Sequence, residues 1–293
     1  MDLRQLRYFV TVVQEKHYSK AAKILHISQP SLSNAIKKLE DNVGFQLLER
    51  STRGFALTDA GSVFYEKSLE LVRKFDNMLK ELDEMKQMGS GNISIGMIES
   101  AKFWLPKVVK KFKANSPKIH FQFKELLGKR KVFDSLIHYD VHFTITNQPI
   151  HKEEIILIPI YHEKLILVTH NEDPLNLLDV VTLPDLQGRD LIISTIGFQT
   201  REDILNAFEK EKINHHIRYE IERFETACSL VEQGLGITIL PESYIKYNLN
   251  PNIATHTIES EYLERTVYLA YLKDRYLSPA VEELIEKVQS FFK

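Results

Sequence analysis

Ser28, Gln29, Pro30, Ser31, Ser33, Asn34 and Lys37 crowd into ten residues of the stretch ISQPSLSNAIKKLE. Together they offer short hydrogen-bonding groups, one apolar ring and one cation. Such a set can address the edges of nucleic-acid bases. A Gln or Asn amide reads adenine, a Ser hydroxyl donates or accepts, and Pro can touch a thymine methyl. Lysine neutralises phosphate. On a lone helix the same residues would be no more than a solvated surface. The neighbouring elements therefore have to decide.

The rest of the chain offers little other chemistry. Its single cysteine, Cys228, rules out an intramolecular disulfide. The surrounding TACSLVEQG reads as the apolar side of a helix, so a packed small hydrophobe fits better than a nucleophile. Eleven histidines form no H-E-x-x-H. Asn214-His215-His216 lacks a third ligand nearby in sequence and reads as surface. There is no Walker A, no GxGxxG and no G-x-S-x-G. No catalytic residue, metal site or cofactor is expected. An enzyme remains the first rival reading, favoured by turnover of any metabolite. A stand-alone small-molecule binder is the second, and it leaves the first 88 residues unexplained.

The elements around the opening cluster are helical. Leu3, Leu6, Val10 and Val13 recur at spacings of three and four, one face of a helix. Ser19 can cap a second helix carrying Ala21, Ala22, Ile24 and Leu25, with the alanines small enough for close packing. His26-Ile27 make a turn. Ser28 then stands at an N-cap and Pro30 in the first turn, where its missing N–H costs little. Leu32, Ile36, Leu39 and Val43 fall within about 60° of arc at helical spacing. Gln29, Pro30, Ser33, Asn34 and Lys37 spread over the opposite side, and Gly44 suits the stop. Three short helices with a tight turn before the third predict a helix-turn-helix. FQLLERSTRGFALT then reads as a β-hairpin wing with Arg50 and Arg53 near its tip.

Residues 1–60 hold nine Lys and Arg against six Asp and Glu, a local net of about +3, in a chain of 293 residues whose formal net charge is -2. A basic head on a larger, acidic body fits a nucleic-acid partner. No Gly or Pro interrupts residues 63–88, and Val63, Phe64, Leu71, Phe75, Met78, Leu79, Leu82 and Met85 mark a long helix. Such a helix cannot bury its stripe against itself, so a partner chain is expected. Gly89-Ser90-Gly91 reads as a hinge. From Asn92 strands and helices alternate in a doubled pattern, which predicts an α/β body of two similar lobes with a ligand cleft between them. The start MDLRQLRYFV lacks a signal-peptide core, and no run of about 18 apolar residues exists. A reducing, cytoplasmic location is expected.

The stretch LRQLRYFVTVVQEKHYSKAAKILHISQPSLSNAIKKLEDNVGFQLLERSTRGFALTDAG resembles the LysR-type transcriptional regulators. The AA of the second helix, the SQPSLS start of the third, I-K-K-L-E, G-x-x-L-x-x-R and L-T-x-A-G all match. PKIHFQFKE, LVEQGLGITILP and the final SPA helix extend the likeness along the body. Two positions depart. Asn34 stands where the family often has Arg or Gln, and Leu48 replaces the usual wing Phe. The resemblance implies a winged helix-turn-helix over 1–58, a dimerising linker helix over 59–88 and an effector domain over 89–293 like periplasmic binding proteins. In that domain, lobe I takes about 92–161 and 267–293, and lobe II about 162–266. It further implies operator DNA, a small-molecule effector, homodimers or homotetramers, and RNA polymerase as a candidate partner.

Four loops meet the physical demand for a ligand seat, since helix N-termini beside strand ends present free N–H groups. They are Glu99-Ser100-Ala101, Gly128-Lys129-Arg130, Ile196 to Thr200 and Phe224-Glu225-Thr226. The resemblance places effector contacts in such loops, which singles out Ser100, Lys129, Thr146, Phe198 and Thr226. Lys129 or Arg130 would suit an anionic effector. Glu99 argues instead for a cation or amino group.

Overall fold

The structure, a computed structural model, describes residues 1–49, 56–86, 91–246 and 250–293. The expected wing tip with Arg50 and Arg53, and Gly89-Ser90 of the expected hinge, lie outside them. The chain divides into two units, Met1–Asp83 and Glu84–Lys293.

The first unit opens with α1 (Leu3–Glu15), α2 (Tyr18–Ile24) and α3 (Gln29–Val43). Asp2 and Gln5 cap α1 reciprocally. The expected cap of α2 by Ser19 is not observed. His17 occupies that position without a side-chain bond, and Ser19 Oγ, inside the helix, donates to Gln29 Oε1 at 2.9 Å. Ala21 and Ala22 are buried, so α2 lies close to its neighbours. His26 turns the chain at φ 55. Ser28 caps α3 by accepting from Ser31 N at 3.3 Å, and Gly44 ends it at φ 78. Leu32, Ile36 and Leu39 are buried against Phe9, Val12 and Leu47 in one core.

Two features finish this unit. Glu40 Oε1 accepts from the backbone N–H groups of Leu47 and Leu48 at 2.8 and 3.1 Å, anchoring the first wing segment to α3. Leu48 pairs antiparallel with Leu57. The long helix α4 (Asp59–Lys86) follows. Thr58 Oγ1 donates to Gln46 O at 2.7 Å and accepts from Gly61 N at 2.9 Å. A Cβ at Gly61 would lie 1.9 Å from Leu47 O, so only glycine permits this approach. We therefore expect Gly61→Ala to destabilise the first unit by about 1–3 kcal/mol through overpacking. Urea denaturation of the full chain checks this, and an unchanged midpoint would count against it. Arg7 pairs two-pronged with Asp76, the shorter contact 2.6 Å, and fastens α1 to α4 within this unit.

The second unit is α/β. Its strands are β1 (Asn92–Met97), β2 (His120–Glu125), β3 (Phe143–Thr146), β4 (Ile155–His170), β5 (Val181–Thr182), β6 (Asp190–Ser194), β7 (His216–Ile221), β8 (Ile237–Pro241), β9 (Ile253–His256), β10 (Ile258–Glu259) and β11 (Glu264–Leu272). Its helices are α5 (Leu105–Lys113), α6 (Lys129–Ile137), α7 (Gln199–Lys210), α8 (Phe224–Glu232), α9 (Glu242–Ile245) and α10 (Pro279–Ser290). The main strand order is β2-β1-β3-β11-β4-β8-β6-β7, with β9 on β4. Parallel β1, β2 and β3 form one end, and parallel β6, β7 and β8 the other. We call these ends the first and second lobes. Each has its own apolar core, one around Trp104, Phe112 and Phe143, the other around Leu167, Ile193 and Phe208.

The antiparallel pair β4 and β11 joins the lobes. Its form corrects a sequence expectation. IILIPI and KLILVTH read as two strands, yet β4 is a single strand of 16 residues. Tyr161-His162-Glu163 separates the two in sequence. The strand runs straight through them, His162, Glu163 and Lys164 pairing with Thr266, Arg265 and Glu264, with a register shift between Val267 and Tyr268. There two residues of β4 oppose one of β11, a β-bulge.

Candidate base-reading helix and inter-lobe cleft

Helix α3 separates its faces cleanly. Leu32, Ile36 and Leu39 are buried, while Ser28, Gln29, Pro30, Ser31, Ser33, Asn34 and Lys37 are all exposed. They are not equally free. Ser28 and Ser31 hydroxyls lie 2.8 Å apart within the cap, and Gln29 receives Ser19. Among the described residues, Ser33, Asn34 and Lys37 make no side-chain hydrogen bond or ion pair. Their groups stand open on the helix's first turns, where base-reading side chains are needed.

The second candidate region lies where the two lobes meet. Ile98, Glu99, Ser100, Leu127, Gly128 and Asn147 face it from the first lobe, and Phe198, Thr200 and Phe224 from the second. The cavity is about 20 Å³, space for roughly one water. The lobes meet through the protein's own contacts. Phe224 N donates to Glu99 Oε2 at 3.2 Å, Arg223 pairs with Glu125, and a Cβ on Gly128 would lie 2.9 Å from Gly197 O. Gly128 and Gly197 have φ of 91 and 93, values that glycine adopts without strain.

Ser100 is 1% exposed, and its hydroxyl lies against the Tyr161 phenol. The Tyr161 phenol beside it receives Trp104 Nε1 at 3.3 Å. Burial first, and then the Glu163 carboxylate, hold that phenol well above its ordinary range. Thr200 Oγ1 accepts from Arg265 Nη1 at 2.8 Å, which leaves its own proton for another acceptor. Arg265 is itself buried and grips Glu163 Oε2 at 2.7 and 2.9 Å.

The loops expected from sequence meet only in part. Ser100 and Phe198 share the cavity wall. Lys129 is exposed, and Arg130 is solvent-facing and pairs within its helix with Asp134 at 3.6 Å. Neither lines the cavity, so the anionic effector expected from them loses its counter-charge. Both belong to the first turn of α6, whose outer face carries them away from the wall. Thr146 is fully buried in β3 and accepts from Gln148 N at 3.1 Å, an internal role. Thr226 is exposed on α8 and off the wall. Thr200, Asn147 and Leu127 are wall residues that sequence reasoning did not single out. The Gln-Thr start of α7 was the available signal for Thr200. Cys228 is buried, and burial, aided by Glu99, pushes its thiol up to about 11, as befits a packed rather than reactive cysteine.

A larger groove of about 820 Å³ lies in the second lobe beside β10. Its walls are mostly exposed side chains, including Asp179, Glu211, Glu259 and Glu261. It lacks the buried, converging polar groups of the inter-lobe cavity.

A winged helix-turn-helix head followed by a long helix and a two-lobed α/β body defines a DNA-binding transcriptional regulator with an effector-binding domain. The chain belongs to the LysR family. Residues 3–62 match the bacterial regulatory helix-turn-helix protein, lysR family, and residues 86–293 match the LysR substrate binding domain. It is 30% identical to the uncharacterized HTH-type transcriptional regulator YybE of Bacillus subtilis (strain 168), over 100% of this chain and 99% of that one. The fold is similar to that of CbnR, a LysR family transcriptional regulator, at 22% identity and a TM-score of 0.67, covering 100% of both chains. It is also similar to full-length CbnR complexed with its target DNA, at 24% identity and a TM-score of 0.60, again over 100% of both. The family comprises transcription regulators, not enzymes. No helix among the described residues is long and apolar enough to cross a membrane.

Proposed function

We propose that α3 enters the major groove of operator DNA and that Ser33 and Asn34 read bases there while Lys37 contacts phosphate. The observation that carries this is the open, polar N-terminal half of α3 on a helix whose other face is buried. Ser28 and Ser31 hold the cap, and Gln29 and Pro30 are placed to touch the same groove. Arg50 and Arg53 belong to the same proposal as wing contacts to phosphate. CbnR has been captured on its target DNA, which supports the docking. Footprinting upstream of the protein's own gene, with and without a panel of metabolites, tests it. Protection of separated half-sites, shifted by one compound, is expected. No protection at low salt would overturn the reading.

The working domain division is 1–58, 59–88 and 89–293. The effector is assigned to the inter-lobe cavity, with Ser100 and Phe198 as contacts and Thr200 added to them. Ser100→Ala is expected to reduce the effector's shift of the footprint, whereas Thr226→Ala leaves it unchanged. The reverse pattern would move the site toward the exposed start of α8. Val63, Leu71, Phe75, Met78, Leu79, Leu82 and Met85 are exposed along α4, between 38% and 65%. Stripes of this kind seek cover, and a second copy of α4 supplies it, in a homodimer that can pair into a homotetramer. RNA polymerase as a further partner and a cytoplasmic location complete the proposal.

A further inference from the structure

We infer that the molecule bound in the inter-lobe cavity carries a protonated amine that pairs with Glu99, and carries no carboxylate. This rests on the reading of that cavity as the effector site. Glu99 is the one ionisable side chain among the described residues of its wall. It is 5% exposed, and its carboxylate already receives Phe224 N. The N-terminus of α8, which would otherwise favour an anion, therefore holds one supplied by the protein. A ligand carboxylate would meet like charge at a buried wall.

An amine meets the opposite situation. A carboxylate offers about four lone-pair sites, and only one of these is taken by Phe224 N. The other oxygen faces Lys102 Nζ at 3.6 Å. Lys102 is not on the cavity wall, and its side chain is 36% exposed, with the ammonium over the rings of Phe103 and Tyr244. It supplies counter-charge from outside, and a ligand ammonium would supply it from within. A second polar group at the same wall is the Ser100 hydroxyl, 1% exposed, whose neighbour within the protein is the Tyr161 phenol. Apolar Ile98, Leu127, Phe198 and Phe224 complete the wall; because the space holds about one water, an amine with a hydrocarbon body enters only as the lobes part, and its ammonium then replaces Phe224 N as the partner of Glu99.

The test titrates the full-length protein by calorimetry with three matched pairs of probes. These are butylamine and benzylamine, pentanoate and phenylacetate, and butanol and benzyl alcohol. Each amine is expected to bind about 10-fold or more tightly than its matched acid and alcohol. Glu99→Gln, which keeps an acceptor for Phe224 N, is expected to erase that preference. Phe198→Trp, which narrows the cavity, is expected to abolish binding, and Leu127→Trp replaces it if that variant does not fold. An acid that binds more tightly than its amine and is lost in Phe198→Trp overturns the amine while keeping the cavity as the site. An acid whose binding survives Phe198→Trp overturns the cavity reading itself. Binding by none of the six at millimolar concentration, or an amine preference untouched by Glu99→Gln, also overturns the inference.

Discussion

Replacing Ser33 and Asn34 together with Ala lowers affinity for the operator by about 30-fold or more and leaves affinity for unrelated DNA nearly unchanged. Each good base contact discriminates by about 1–3 kcal/mol. Losing two at the lower end gives about 2 kcal/mol, or roughly 30-fold. Both side chains are exposed and neither packs in the core of the head, so the loss reads recognition rather than folding. The salt dependence of binding stays the same because no phosphate contact is removed. Lys37→Ala behaves differently, weakening both kinds of DNA alike and reducing the salt slope by about 1. Fluorescence anisotropy at two salt concentrations separates these outcomes. Equal losses on both DNAs for the Ser33, Asn34 pair would sink base reading by α3.

The second large effect lies in the body. Arg265→Ala is expected to cost about 3–5 kcal/mol of stability, because it strands Glu163 in the interior. The side chains of Arg265 and Glu163 are 6% and 1% exposed, so water cannot replace the lost partner. Ser243 alone would remain on Glu163. Asp203, whose carboxyl is held above its usual range mainly by burial, would lose the Arg265 charge that opposes this and rise further. In thermal denaturation the fall in Tm should be on the order of 10 °C. The paired variant Arg265→Met with Glu163→Met should recover much of it, since removing both charges leaves neither unpaired. A single variant as stable as the wild type would mean the pair contributes nothing net. Arg265 also donates to Thr200, so the paired variant loosens one wall of the cavity and separates stability from ligand response.

Much of the head was legible because short-range rules govern it. Ser28, Pro30 and Gly44 bracket α3 through local capping chemistry, and Leu32, Ile36 and Leu39 repeat at helical spacing. Ser19 misled because it is a good cap residue two positions past the true cap, His17, where its hydroxyl found Gln29 instead. Glu40, Thr58 and Gly61 sat in recognisable motifs, yet what they do depends on the chain folding back on Leu47 and Gln46. The cavity was half legible for the same reason. Loops after strands pointed to Ser100 and Phe198, but which side of a loop faces inward depends on packing between distant segments. Lys129 and Thr226 point out, and Thr146 points into the core. Glu99 and Phe224 are 125 residues apart, and no local pattern announces their hydrogen bond.

The doubled crossing of β4 and β11 has a mechanical meaning. Two strands laced together along their length resist sliding and stretching, because either would break several backbone hydrogen bonds at once. The bulge opposite Val267 and Tyr268 bends the ribbon and sharpens its local twist. The lobes are thus carried on a twisted two-strand ribbon rather than on a slack tether. A bound molecule that turned one lobe against the other would have to change that twist, so the expected form of its signal is an angle.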